Sequence, residues 1–256
     1  MQQSPSETGA LSLSFWPDAR GSTQRTLAGL IAEEDPIARD PEGYAEVSIA
    51  ARGFFALDML LFDPGFSDYA PGSYTCDLVT TIGADLAHQA EALNAAWSGD
   101  FATTLRQAGA EGNATYLHED EALRAIYTQI LTSLEFTAET RLGQPMGRVD
   151  RPRPARAEAR RSGRPLRNVP LASQAAYALA TALADHDLPQ TDAAMQRVRA
   201  AAARIADPVF QDVTDSQARL RVEVLQQAVR SLRAAIGTEI GAPLGIAPGF
   251  NAQDGD

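Results

Sequence analysis

Apolar residues recur every three or four positions along most of this chain, the period of a helix with one buried face. Leu27, Leu30 and Ile31 form the first such stripe, and Ser22 is placed to cap it, which predicts a helix over 22–34. Asp40-Pro41 reads as an N-cap followed by proline at the first helical position, opening a segment over 40–62 that Gly53 interrupts. Ser73 caps the next helix, Leu78, Ile82, Leu86 and Leu93 mark its buried side, and Gly99 ends it. Asp100 restarts a shorter helix over 100–108. Over 119–142, Leu123, Ile126, Tyr127, Ile130, Leu134 and Phe136 keep near-helical spacing until Gly143 and Pro145 stop it. Further helices are expected at 172–185, 192–205 and 215–240. The last carries the longest stripe: Leu220, Val224, Leu225, Val229, Leu232, Ile236 and Ile240. Only Leu11 to Phe15 alternates like a strand, and it is too short to anchor a sheet.

The pattern predicts an all-α fold built from two packed helical bundles. It fails between 143 and 170, where five prolines, three glycines and many arginines fall. The expected organisation is an N-terminal bundle at 1–145, an Arg/Pro-rich linker or docked loop at 146–170, and a C-terminal bundle at 171–256.

Charge narrows the function. The net charge is −11 and all 22 basic residues are arginine. Nine of them lie between Arg141 and Arg167 against Asp150 and Glu158, a local balance of +7 that leaves −18 for the rest. Such an acidic body argues against nucleic acid as a partner, since binding phosphates needs a basic face. The Arg-rich stretch reads either as a loop docked on acidic surface or as a contact surface for carboxylate or phosphate groups. Cys76, the only cysteine, excludes an internal disulfide and sits in an apolar pattern that suggests a buried, inert thiol. No apolar run approaches the roughly 20 residues of a membrane span. The polar stretch Met1 to Ala10 does not read as a signal peptide.

Complete catalytic motifs are missing. There is no Gly-x-Ser-x-Gly elbow, no His-Glu-x-x-His and no glycine loop opening a helix. His88, His118 and His186 are far apart and read as structural or surface residues, as do the acidic clusters at Glu33–Asp35 and Asp120–Glu121.

Four stretches taken together resemble the imelysin family of exported bacterial proteins. They are Phe15-Trp16-Pro17-Asp18-x-x-Gly21, Arg52-Gly53-Phe54-Phe55-Ala56-Leu57-Asp58-x-x-Leu61-Phe62, Arg141-Leu142-Gly143-Gln144-Pro145-Met146-Gly147, and Leu244-Gly245-Ile246 through Gly249-Phe250-Asn251 to Asp254-Gly255-Asp256. They occur in the family's order and span the chain. The resemblance implies an all-helical fold of two bundle regions. It also implies a periplasmic or exported protein that binds a small ligand or a metal ion, iron or zinc, with a membrane-associated uptake partner. The family's Gly-x-His-x-x-Glu signature, its proposed metal or active centre, falls on Gly53, Phe55 and Asp58. Phe55 can neither bind metal nor carry a proton. This points away from the peptidase activity proposed in the family and towards ligand binding without hydrolysis. The alternatives are a metallopeptidase-like enzyme with other ligands, such as Asp58, Glu135 and His118, or a helical scaffold for a protein partner. Ser4-Pro5-Ser6-Glu7 looks like the tail of a motif that relatives carry after a signal peptide and a further helix.

Arg52, Phe55 and Asp58 lie at i, i+3 and i+6, within about 120° of one another on a helix. Charges in so apolar a stretch must be paired if buried. One expectation is a structural ion pair of Arg52 with Asp58 or Glu135. The other is a ligand site formed by Arg52, Phe55, Asp58, Glu135 and Arg141.

Overall fold

The structure, a computed structural model, describes residues 7–67 and 70–245. Its helices are α1 (Glu7–Leu13), α2 (Ser22–Glu33), α3 (Gly53–Phe62), α4 (Tyr74–Ala96), α5 (Ala102–Arg106), α6 (Glu119–Glu135), α7 (Gly143–Met146), α8 (Pro165–Leu183), α9 (Pro189–Ala202), α10 (Ser216–Ile236) and α11 (Ala242–Leu244). No strand occurs among the described residues, so the fold is all-α. The strand-like stretch Leu11 to Phe15 is not a strand: Leu11 to Leu13 end α1, and Ser14 and Phe15 follow it outside any helix. The C-terminal stretch Ile246 to Asp256 and Ser4 to Ser6 lie outside the described residues.

Two compact units divide the chain, residues 1–103 and 104–256. The helix expected to close a first bundle at 145 therefore belongs to the second unit, together with the Arg/Pro-rich segment. Each unit has its own apolar core, one around Leu27, Tyr44, Leu60, Leu78 and Ile82, the other around Leu134, Val198, Phe210, Leu225 and Leu232.

In the first unit, α2 is capped from further back than expected. Asp18, not Ser22, accepts the N–H groups of Ser22 (2.9 Å) and Thr23 (2.8 Å), because Gly21 turns the chain through the left-handed region. The segment opened by Asp40-Pro41 does not become a long helix. Asp40 accepts from Gly43 N–H, short 3₁₀ turns follow at Gly43–Glu46 and Ile49–Ala51, and α3 begins only at Gly53. Gly53 has φ +76°, and a Cβ there would collide with the carbonyl oxygens of Ser12 and Leu13. Only glycine lets α1 and α3 approach so closely. Ser73 caps α4 through Cys76 N–H as expected, and Leu78, Ile82 and Leu86 are buried. Cys76, expected to be buried, is exposed.

The second unit wraps α6, α8, α9 and α10 around one core. At the start of α6, Glu121 reaches back to the N–H groups of Leu117 (2.6 Å) and His118 (3.2 Å). α6 and α10 each run on into a π-helical turn, Phe136–Leu142 and Gly237–Gly241. Such a turn leaves a backbone carbonyl without its usual helical donor. At the first turn, Gln226 Nε2 donates to Ala138 O at 2.8 Å. Helix α8 starts at Pro165, earlier than expected, because proline suits a first helical turn. The Arg/Pro-rich segment packs into this unit: Arg153 N–H donates to Pro145 O, Gln211 to Pro154 O, Arg219 to Met146 O, and Ala157 is buried.

Candidate functional site

The stretches read as motifs at Trp16–Asp18 and Arg52–Asp58 meet in the first unit. Trp16 stacks on Phe55 with ring centroids 6.3 Å apart and an interplanar angle of 17°. Both rings are half-buried, which leaves part of an aromatic surface open to solvent. Asp58 lies one helical turn beyond Phe55 on α3 and is buried, 7% exposed. The N–H groups of Ser22 and Thr23 hold the Asp18 carboxyl below its ordinary value, outweighing burial, which pushes it up.

Arg52 sits at the foot of α3, where its guanidinium is committed on two sides. Nε and Nη2 donate to the two oxygens of Asp85 at 3.0 and 2.6 Å, and Nη1 donates to Ala45 O at 2.8 Å. The pair is nearly enclosed, with the Arg52 and Asp85 side chains 11% and 5% exposed. Gln89 adds a bond to Asp85 at 2.8 Å, and Ser12 of α1 donates to Gln89 at 2.6 Å. Beside it the Tyr44 hydroxyl donates to Ala51 O at 2.9 Å, and burial pushes that phenol well up. The acid bonded to Arg52 is thus Asp85, not Asp58 or Glu135. The sequence signal was present: Asp85 and Gln89 extend the stripe of Leu78 and Ile82 onto the buried side of α4, where an unpartnered acid would be costly.

Glu135 and Arg141 belong to the second unit, and each has its own partner there. Arg233 donates to Glu135 at 3.0 Å. Arg141 donates to Glu158 at 2.8 Å and to Thr137 at 3.1 Å, and lies 5.1 Å from the Phe136 ring centroid. Glu158 is 5% exposed and also accepts from Asn168 at 3.0 Å. Of the five expected site residues, Arg52, Phe55 and Asp58 share α3 and its N-cap in the first unit, while Glu135 and Arg141 hold ion pairs within the second.

His88 and His118 are exposed. His186 follows α8, with its ring nitrogens 3.0 Å from Asp185 Oδ1 and 2.9 Å from Glu239 O. The Asp185 bond and the Glu239 carbonyl raise its pKa above the ordinary value. Among the described residues, no group of three or more His, Cys, Asp and Glu is placed to hold a metal ion. With phenylalanine at the signature histidine position, the residues of α3 do not fit a protein-bound metal.

A family model for imelysin, peptidase M75, matches residues 1–236. Among solved structures, the chain is similar to an imelysin-like protein from Psychrobacter arcticum 273-4, with 17% sequence identity and a TM-score of 0.76 over 98% of this chain and 77% of that one. No curated protein matches. At that identity the structure supports the fold alone, but the family model covers most of the sequence: the chain belongs to the imelysin family.

Proposed function

We propose that this protein is a periplasmic or exported ligand-binding imelysin, an accessory to the uptake of a small molecule or of complexed metal such as iron, without hydrolytic activity. The observation that supports it is the aromatic pair of Trp16 and Phe55, standing where the family signature calls for a histidine. Half-exposed stacked rings offer a flat apolar face to a planar ligand. Phe55 shares α3 with the buried Asp58, and Arg52, paired with Asp85, is the N-cap of that helix. Hydrolysis would need a nucleophile with a base, or a metal-activated water, and the side chain of Phe55 supplies neither. A metallopeptidase using Asp58, Glu135 and His118 has the weaker support, given the ion pair of Glu135 with Arg233 and the absence of a three-ligand cluster among the described residues.

Tryptophan fluorescence tests this reading. In Trp97→Phe, whose remaining tryptophan is Trp16, titration with dihydroxybenzoate and with its ferric complex should quench emission saturably. Phe55→Ala should weaken binding by about tenfold, the loss of one good stacking contact. Absence of quenching with both probes, together with cleavage of a peptide library by the wild type, would overturn the reading.

A further inference from the structure

Helix α10 carries a second unexplained feature, remote from α3 in the sequence. Its sequence stripe begins with Leu220 and Val224, which helical spacing assigns to the core, yet they are 50% and 46% exposed. The inner positions are taken by Ala218 and Val222 instead. Val224 lines a groove of about 360 Å³ between α9 and α10, with Ala200 and Ala201 on one wall and Gln227, Ala228 and Ser231 on the other. At its edge on the α9 side stand Arg197 and Arg204. That volume lies within the range of small-ligand sites, and the walls are mostly apolar.

The two arginines are what make the groove specific. Elsewhere on these helices Arg199, Arg219, Arg230 and Arg233 each hold a side-chain partner, in Gln174, Glu223, Glu139 and Glu135, and Arg221 acts on Asp212. Arg197 and Arg204 have no such partner among the described residues, and no acid lines the groove. Both are exposed, and two guanidinium groups without an acidic partner beside apolar surface, on a chain of net charge −11, suit an anion with an apolar part. They stand seven residues apart in the chain, Arg197 on α9 and Arg204 in the turn just after it.

We propose that this groove binds a small amphiphilic anion, a carboxylate or phosphate head group on a short apolar chain. The head group pairs with Arg197 or Arg204, and the chain covers Ala201, Val224 and Ala228. The site uses none of the residues assigned to the ligand face on α3, so each proposal stands or fails without the other.

Calorimetric titration of the full chain with dodecanoate below its aggregation concentration tests the groove, with dodecyltrimethylammonium as the cationic control. Saturable binding near one equivalent is expected for dodecanoate and none for the cation. The exposed-site variant R197Q/R204Q should weaken dodecanoate at least about tenfold, the loss of a charge-assisted contact. Val224→Asp should abolish binding, while circular dichroism shows both variants folded. Dodecyl phosphate serves as the second anion, and tighter binding of either supports the proposal and names the head group. Failure of both anions to bind, equal affinity for the cation, or undiminished affinity in R197Q/R204Q would overturn it.

Discussion

Arg52 and Asp85 meet in the interior of the first unit, 11% and 5% exposed, with Gln89 and Ser12 completing their bonds. In the second unit Arg230 and Glu139 form a pair of similar length, but at 45% and 47% exposed. Both are two-pronged guanidinium–carboxylate contacts. The difference is what surrounds them. The first pair has given up its water and must be satisfied by protein, so losing one partner strands a charge; the second can return to solvent. Both units have an apolar core, and in the first the buried pair also ties α1, α3 and α4 together through Ser12 and Gln89. Similar contacts in the two units therefore carry different weight.

Removing one partner from each unit tests that contrast at its widest. Arg52→Ala should destabilise the first unit by about 3–5 kcal/mol, because Asp85 is left buried and unpaired. Urea unfolding followed by tryptophan fluorescence reports it, since both tryptophans, Trp16 and Trp97, lie in that unit. The double variant Arg52→Met with Asp85→Leu should recover most of the loss. If it unfolds as readily as Arg52→Ala, packing rather than charge explains the effect.

Gly53→Ala comes next. Its left-handed backbone and the crowding by the Ser12 and Leu13 carbonyls set an expected cost of about 2–3 kcal/mol, read by the same unfolding curve. A neutral outcome would mean that α1 can move away from α3, and that the polar network is not rigid.

Asp18→Ala should cost about 1 kcal/mol at neutral pH through loss of the α2 cap. Its sign with pH is fixed by the lowered carboxyl. A depressed pKa gives stability that is present above the ordinary value of 3.8 and lost as pH falls through the folded value. The variant should therefore lose less stability than the wild type between neutral and strongly acid pH. Glu239 accepts the Gln190 and Thr191 N–H groups at 2.8 Å each and is lowered by them despite burial, so it provides the same comparison at the start of α9.

Arg230→Ala should have the smallest effect, about 0.2–1 kcal/mol by circular dichroism, and less in high salt. A loss as large as that of Arg52→Ala would erase the distinction between the buried and the exposed pair.

Much of this architecture was legible in the sequence, because long helices announce themselves by spacing. The 3.6-residue period located α4, α6, α9 and α10 to within a few residues. What failed was local. Asp40-Pro41 carries a helix-start signal, but Asp40 closes a tight turn with Gly43. Leu220 and Val224 at the start of the α10 stripe were misplaced because two neighbouring helical faces both carry apolar residues, and only packing decides which is inner. Of the candidate residues, the sequence made legible that Arg52, Phe55 and Asp58 share one helical segment, α3 and its N-cap. Spacing put Asp85 on the buried side of α4, but its pairing with Arg52 was missed because spacing holds no information about which distant segments meet, here 33 residues apart. The stacking of Trp16 on Phe55 was missed for the same reason.

The central claim is that Phe55 has replaced metal chemistry at the signature position with ligand stacking. Elemental analysis of protein purified without chelator tests it most directly. Metal far below one equivalent per chain, unchanged in Asp58→Ala, is the expected result. One equivalent of iron or zinc that disappears in Asp58→Ala would contradict the account and restore a metal centre to α3.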